Sequence, residues 1–254
     1  MINISVITVC FNSEETILAT IESVASQTHT NIEYIIIDGG STDNTMAIVL
    51  SESAHISKVV SEKDRGIFDA MNKGLSLATG DVVGFFNSDD VFASNDCLAF
   101  IAAAFSDDSI QGCHGDLVYA ARDDLTKIVR YWQSGKYEEG MFSRGWVPPH
   151  PTFYAKRNLY HKFGMFDCDL HLAADFDLLL RFFVLHKINS IYIPKVLVKM
   201  RLGGASNSSF RSILNQNKFV KKSFDKYGFH AGPVLFFFRL YRRLTQFFMR
   251  PPAP

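Results

Sequence analysis

Short apolar runs alternate with amphipathic stretches along the first ninety residues of this 254-residue chain. The runs are rich in β-branched and aromatic residues and are bounded by turn residues, which is typical of buried strands. The predicted strands are residues 4–9, 35–37, 58–61 and 82–86, and the predicted helices between them are residues 13–24, 45–53 and 67–78. This alternation predicts a parallel sheet with helices on both faces.

The pattern changes after residue 90. Here the prediction is a helix, a strand pair, a Gly/Pro-rich aromatic stretch, an apolar helix and a late strand, at residues 97–105, 115–119 with 126–131, 132–151, 176–185 and 191–200. No internal repeat or low-complexity linker divides the chain. We therefore expect one α/β domain over residues 1–206, with halves 1–110 and 111–206, and a helical tail at 207–254.

Three polar segments interrupt the first half, at residues 38–44, 61–66 and 87–90. The first and third directly follow predicted buried strands and carry Asp38 and Asp89. Ligands of open α/β sheets bind outside the carboxyl ends of the strands, so acidic residues there belong to a site. Carboxylates in these places suit a nucleotide together with a divalent cation.

Composition adds three limits. Lys plus Arg and Asp plus Glu number 26 each, so the overall charge gives no indication of a nucleic-acid partner. The four cysteines lack C-x-x-C spacing, which favours reduced thiols in a cytoplasmic protein over a zinc site or disulfides. The first residues have no basic segment and no long apolar stretch, so they predict a strand and not a secretory signal.

Several segments resemble the inverting glycosyltransferases of family 2. In the first half these are residues 6–12, 37–43, 69–74 and 86–90, and on the acceptor side residues 174–178 and 203–206. The resemblance spans roughly residues 3–206. It implies a GT-A fold, an α/β architecture with a mainly parallel, Rossmann-like sheet flanked by helices. It also implies a nucleotide-sugar donor, Mn²⁺ or Mg²⁺, and a glycan or lipid-linked acceptor of the kind used in polysaccharide assembly.

The resemblance assigns the nucleotide pocket to residues of the first half. Asp38 would read the base edge, which suits a pyrimidine and hence a UDP-sugar. The backbone around Thr8 and Val9 would line the same pocket. Asp64 and Lys73 could reach the ribose or the phosphates.

The metal motif of the family, commonly Asp-x-Asp, stands here as Asn87-Ser88-Asp89. Asp89 is the expected metal ligand, with Asp90 beside it, because magnesium-type ions take one or two carboxylates plus substrate phosphates. Asn87 departs from the family pattern and removes one carboxylate. Its amide can still bond a ribose hydroxyl or a metal-bound water.

Inversion by direct displacement needs a general base near the acceptor hydroxyl. Asp175 matches the second position of the family's acidic pair, whereas Ala174 occupies the first, often Glu. The alternative is that Asp175 only complements a helix dipole. His150 resembles a family position near the acceptor or diphosphate, and Arg201 could approach the diphosphate; loop roles are the alternatives. Trp132 and Trp146 fit sugar stacking or, more simply, core packing.

The tail has helical spacing of apolar residues with a basic opposite side. The apolar set is Phe237, Leu240, Tyr241, Leu244, Phe247 and Phe248, and the polar set is Arg239, Arg242, Arg243, Gln246 and Arg250. This pattern is typical of a helix lying on anionic lipid, which would place the protein peripherally on the inner face of the cell membrane. The run is too short to span a bilayer. Packing on the catalytic domain or on a second copy, as a homo-oligomer, is the alternative.

Two other functions remain open from the sequence. A nucleotidyltransferase would want a Gly-rich basic loop after the first strand, where Cys10, Phe11 and Asn12 stand instead. A degenerate transferase that only binds nucleotide sugar or acts as a scaffold is favoured by Asn87 and Ala174. The retention of Asp38, Asp89 and Asp175 favours an active enzyme.

Overall fold

The computed structural model describes residues 1–203, 210–229 and 231–251, and a single mixed sheet runs through this part of the chain. Its strands are β1 (Ile4–Cys10), β2 (Ile32–Asp38), β3 (Lys58–Ser61), β4 (Val82–Asn87), β5 (Asp90–Phe92), β6 (Gly112–Ala120), β7 (Ile128–Trp132), β8 (Tyr154–Lys156) and β9 (Ser190–Arg201). The helices are α1 (Ile17–Ala25), α2 (Thr45–Ser51), α3 (Ile67–Leu77), α4 (Cys97–Ala104), α5 (Arg157–Phe163), α6 (Ala174–Leu180), α7 (Phe210–Lys226) and α8 (Pro233–Thr245).

The first four strands form the parallel part of the sheet, in the order β3-β2-β1-β4. Their register aligns the strand ends, because Cys10 pairs with Asp38, Asp38 pairs with Ser61, and Val9 pairs with Asn87. The predicted α/β alternation is confirmed here. The alignment brings the three predicted polar segments to one edge of the sheet.

The second half continues the same sheet with both strand directions. β8 is antiparallel to β4 and to β6, β9 is parallel to β6 and antiparallel to β5, and the expected strand pair is β6 with β7. β5 and β8 were not predicted. Each has only three residues, so each exists through its pairing partners and not through a local pattern.

Two apolar cores cover the two faces of the sheet. One contains α3, α5, α6 and parts of α7 and α8, and the other contains α1, α2 and α4. Ile17, Ile21 and Val24, which recur at helical spacing along α1, are buried. All four cysteines are free thiols, as expected.

The C-terminal helices pack on the half formed by residues 111–206, and α8 lies against a turn at Phe142–Arg144. The orientation of α8 corrects the expectation for its polar side. Arg239 lies over the Phe176 ring, and Gln246 accepts a hydrogen bond from Arg130 at 2.7 Å, so polar residues of α8 face the protein. The tail is therefore a docked part of the molecule in the described residues.

The outer face of α8 and the residues after it is apolar and exposed. It comprises Val234, Phe237, Leu240, Tyr241, Leu244, Phe247 and Phe248. We call this set the apolar face of α8. None of the described helices has the length and apolar character needed to cross a membrane.

Candidate active site

Three loops meet at the carboxyl ends of β1, β2 and β4. The Asn12 backbone donates to Ser41 Oγ at 2.8 Å, and the hydroxyls of Ser13 and Ser88 lie 2.7 Å apart. The Ser13 backbone also donates to Thr45 Oγ1 at 2.7 Å. The helix α1 begins four residues after Ser13, and Thr16, which precedes it, makes no side-chain capping bond. The bonds fix the loops as one rigid rim.

Asp38 is the centre of this rim and is fully buried. Its carboxylate accepts hydrogen bonds from the Gly40 and Ser41 backbones at 3.2 and 3.0 Å, and from Ser61 Oγ at 2.6 Å. The side chain thus shapes the loops after β2 and β3. Its reading of a nucleotide base stays a prediction.

Asp64 and Lys73 lie on the loop and helix that follow β3. A Cβ atom on Gly39 would stand 2.6 Å from Asp64 Oδ2, so glycine lets this loop lie against the carboxylate without displacing it. Lys73 Nζ lies 2.8 Å from a Glu62 carboxylate oxygen and donates to the Lys63 carbonyl at 3.0 Å. Asp64 therefore borders the same rim as Asp38, while Lys73 is engaged with its own loop.

Thr8 and Val9 are buried inside β1, and the Thr8 hydroxyl lies 3.1 Å from Tyr34 OH. The structure does not bring their side chains to the rim. Two residues further on, Phe11 is 60% exposed and lies against Gly39. The sequence reasoning did not select Phe11 as a site residue. An aromatic residue directly after a buried strand is the signal that could have found it.

Asn87, Asp89 and Asp90 differ sharply in their environments. Asp90 is fully buried and accepts a hydrogen bond from Asn87 Nδ2 at 2.8 Å. It therefore stabilises the loop and is not accessible to a ligand. Burial and the charge of Asp89 raise the pKa of Asp90 well above its usual range. Asp89 is half-buried, so it is the carboxylate of this motif that remains partly accessible to solvent.

Two arginines face Asp89. Burial raises the pKa of Asp89, and the positive charges of Arg201 and Arg122 act in the opposite direction. Arg201 lies at the end of β9 and donates to the Arg122 carbonyl at 2.7 Å, while its buried Nε has no hydrogen-bond partner among the described residues. Of the family-like segment 203–206, residues 204–206 lie outside the described residues.

The donor set fits a cation that is shared with a substrate. Within the described ranges, no three His, Cys, Asp or Glu side chains stand close enough to hold a metal ion by themselves. Asp89 offers one partly accessible carboxylate, and Mg²⁺-type ions are commonly held by one or two carboxylates with substrate phosphates and water. A metal here would depend on a bound diphosphate for most of its ligands.

The acceptor-side segments meet the donor side at Asn72 and Phe85. Asn72 exchanges two hydrogen bonds with the Phe166 backbone, at 2.9 and 3.0 Å. The His150 ring stacks on Phe85, with centroids 5.7 Å apart. Neither ring nitrogen of His150 has a hydrogen-bond partner in the part of the chain that the structure describes, and burial lowers its pKa to about 4. His150 is therefore neutral at pH 7.

Asp175 lies in the first turn of α6, as predicted. Its Oδ1 accepts the Phe176 backbone N–H at 2.7 Å. Burial raises the pKa of Asp175 to about 6, although this hydrogen bond and Arg239 favour the charged form. A carboxylate with a pKa near neutrality is suited to accept a proton from a hydroxyl group during reaction. Asp177 is instead bound to Arg181 Nε at 3.0 Å and Tyr227 OH at 3.1 Å.

The two tryptophans are packing residues in this structure. Trp146 is buried in an aromatic cluster with Tyr137, Phe142 and Phe183, and its indole N–H donates to the Ser134 carbonyl at 2.6 Å. Trp132 packs against the core on the other face of the sheet. Core packing, the simpler of the two expectations, holds for both.

Comparison with known proteins identifies the family of the chain. The family model described as "Glycosyl transferase family 2" matches residues 5–172. An uncharacterized glycosyltransferase of Mycobacterium tuberculosis is 33% identical over 180 residues, which cover 70% of this chain and 68% of the relative. A PGL/p-HBAD biosynthesis glycosyltransferase of Mycobacterium bovis is 28% identical over 210 residues, covering 80% of this chain and 79% of the relative.

Solved structures support the fold. S. aureus TarS in complex with UDP-GlcNAc superposes with a TM-score of 0.67 at 17% identity, covering 96% of this chain and 73% of that one. The mannosyltransferase PcManGT of Pyrobaculum calidifontis, in complex with GDP-Man and Mn²⁺, superposes with a TM-score of 0.66 at 19% identity, covering 96% and 71%. Together with the match over residues 5–172, these findings show that the chain is a glycosyltransferase enzyme with a GT-A fold and belongs to glycosyl transferase family 2.

Proposed function

We propose that the protein is an inverting glycosyltransferase that moves a sugar from a nucleoside diphosphate sugar, of the UDP class, to a hydroxyl of a glycan or lipid-linked acceptor. The observation that carries this proposal is a pair of half-buried carboxylates, one on the donor side and one on the acceptor side. Asp89 lies on the loop after β4, and Asp175 lies in the first turn of α6, where desolvation raises its pKa to about 6. TarS and PcManGT were solved with UDP-GlcNAc and with GDP-Man, which supports a nucleotide-sugar donor for this family member.

In the proposed reaction Asp175 is the general base. Its carboxylate takes the proton of the acceptor hydroxyl as the acceptor oxygen forms a bond to the anomeric carbon. The bond between that carbon and the diphosphate oxygen breaks, and its electron pair leaves with the nucleoside diphosphate. Because the attack comes from the face opposite the leaving group, the anomeric configuration inverts.

The remaining residues bind and orient the donor in this proposal. Asp89 would hold a divalent cation, Mn²⁺ or Mg²⁺, which when bound supplies Lewis-acid neutralisation of the leaving diphosphate. Arg201 would direct its unpartnered Nε toward the same phosphates. Asp38, Asp64 and the backbone of Thr8 and Val9 would surround the nucleoside. Lys73 and Asn87 would support their loops next to the ribose, with Asp90 beneath Asp89.

Phe11 is added to the nucleoside site as a stacking residue. Its ring is exposed beside Gly39 at the edge that Asp38 organises, and exposed aromatic rings stack on the flat faces of bases. Stacking contacts of this kind contribute about 1–3 kcal/mol per base.

We therefore expect Phe11→Ala to raise the donor KM by about tenfold with little change in kcat, because stacking binds donor and transition state alike. Phe11→Trp should retain affinity. The matched control is Phe100→Ala, another exposed aromatic, which lies on α4. Steady-state kinetics at saturating acceptor measure the effect, and an unchanged KM in Phe11→Ala would remove Phe11 from the nucleoside site.

We further propose that the apolar face of α8 rests on an anionic membrane on the inner side of the cell envelope. Seven apolar residues are exposed together, and Phe237 and Phe248 are 65% and 86% exposed. Residues 210–251 contain nine Lys or Arg and a single acidic residue, Asp225, which gives the C-terminal region the charge that anionic lipid attracts. A lipid-linked acceptor and the enzyme would then share one surface.

We expect the wild-type protein to float with vesicles that contain phosphatidylglycerol and to bind pure phosphatidylcholine weakly. The double variant Phe237→Asp with Leu244→Asp should lose at least about tenfold in vesicle binding, because charged groups resist burial in the interface. Leu50→Asp, at an exposed apolar position of α2, is the control. A wild-type protein that forms dimers through these residues and ignores vesicles would contradict the membrane proposal.

A further inference from the structure

Arg239 of α8 is half-buried and lies against Phe176, the residue that follows the proposed base. Its guanidinium carbon stands 5.3 Å from the centroid of the Phe176 ring, in cation–π geometry, and Phe176 directly follows Asp175. The Nη1 atom of Arg239 is buried and has no hydrogen-bond partner in the described ranges. A buried guanidinium without a full set of partners is costly, so its placement calls for a compensating charge.

Asp175 supplies that charge. Burial lowers the pKa of Arg239 while Asp175 raises it, and Arg239 in turn favours the charged form of Asp175. Both groups are half-buried, and an opposite charge acts more strongly on a partly desolvated group than at a fully exposed surface. This electrostatic interaction links residues 64 positions apart in the sequence, one in the C-terminal tail and one on the acceptor side of the catalytic domain.

The backbone of α8 is held closely enough to make this contact specific. Gly145 has φ +72°, and a Cβ atom there would stand 2.7 Å from the Arg239 backbone nitrogen. The Arg242 Nε also donates to the Arg144 carbonyl at 3.4 Å. The turn that ends at Gly145 therefore packs against α8, and glycine leaves the room that the Arg239 backbone needs there.

We propose that Arg239, held over Phe176, is a positioning residue whose positive charge keeps the neighbouring Asp175 carboxylate in its charged state, so that the docked helix α8 is part of the active site. This proposal rests on the proposed role of Asp175 as the base. It makes the tail necessary for transfer itself, separately from any contact of its outer face with lipid.

Other charged groups near the pair are accounted for. Besides burial, Arg243, one turn along α8, repels the charge of Arg239 and lowers its pKa, and Arg144 does the same to Arg242. Asp177 of α6 is bound by Arg181 and by Tyr227, which follows α7. Arg239 is thus the cation whose interaction with Asp175 favours the charged carboxylate.

The test is the pH profile of kcat/KM. Wild-type activity should fall on the acid side with an apparent pKa near 6, because the base must be charged. Arg239→Gln should move this limb upward by about 1 pH unit, which lowers activity about eightfold near pH 5.5 and hardly at all near pH 8.5. Arg239→Lys should keep the limb near the wild-type position, and Arg144→Gln, a charge removed from the exposed turn, should not move it.

Gly145→Ala provides a second test, since its Cβ would displace the Arg239 backbone and Cγ while residue 239 stays an arginine, and it should shift the limb in the same direction. The positioning role would be overturned if the acid limb of the pH profile lay at the wild-type position in both Arg239→Gln and Gly145→Ala. A higher acceptor KM with no shift of the limb would overturn it as well. If Asp175→Asn retained turnover, the proposed base itself would fail. An inactive Asp175→Asn with an unshifted Arg239→Gln would reject this inference alone.

Discussion

Asp175→Asn is expected to lower kcat for sugar transfer by about 10²–10⁴-fold, the range that general bases contribute. The amide has nearly the same shape as the carboxylate but cannot take the proton of the acceptor hydroxyl. Nucleotide binding should be unchanged, because Asp175 lies on the acceptor side, at the start of α6. Transfer kinetics together with thermal stabilisation by the nucleoside diphosphate measure both effects.

The matched control is Asp169→Asn, the same chemical change at an exposed position six residues earlier in the chain. It should retain full transfer. Unchanged turnover in Asp175→Asn would reject the base assignment and leave Asp175 as a carboxylate that only complements the dipole of α6. A wild-type protein that binds nucleotide but transfers no sugar to any acceptor would instead favour the scaffold alternative.

Asp89→Asn is the second large effect. We expect transfer to fall by at least about a hundredfold, because removing a fixed charge that serves the leaving diphosphate costs transition-state stabilisation. The loss should be accompanied by a higher Mn²⁺ concentration for half-maximal activity. Activity measured across a Mn²⁺ titration gives both quantities.

Asp81→Asn is the control for Asp89, since Asp81 precedes β4 and lies at the opposite end of that strand. Its activity and its Mn²⁺ dependence should match those of the wild type. Equal activity of Asp89→Asn and the wild type at low Mn²⁺ would show that the metal, if used, is bound elsewhere. Arg201 and Arg122 would then be the groups left to neutralise the diphosphate.

The sequence predicted those parts of the fold that depend on local pattern. β2 and β4 were predictable because their apolar runs are buried on both faces and end in turn residues, and the positions of Asp38 and Asp89 followed from the strand ends. β5 and β8 could not be predicted, because three-residue strands are stabilised only by distant partners. The direction of strand pairing in the second half likewise depends on tertiary contacts.

The residue types of the candidate site could be predicted from the sequence, but the burial and the partners of each residue could not. Asp89 and Asp90 are adjacent in the sequence, yet one is half-buried and the other fully buried with Asn87, because β5 begins at Asp90 and turns its side chain inward. Arg239 looked like part of a solvent-facing basic side. Only the packing of α8 on Gly145 and Phe176 reveals that it faces Asp175.

The most direct test of the account is thermal stabilisation of the wild-type protein by UDP, GDP and their sugars, each with and without Mn²⁺. A ligand that binds only the folded state must raise the melting temperature. The account predicts a rise with one nucleotide class, strongest for UDP, that grows with Mn²⁺ and loses its metal-dependent part in Asp89→Asn. No rise with any nucleotide or nucleotide sugar, in the presence or absence of Mn²⁺, would contradict the donor site at the carboxyl ends of β1, β2 and β4.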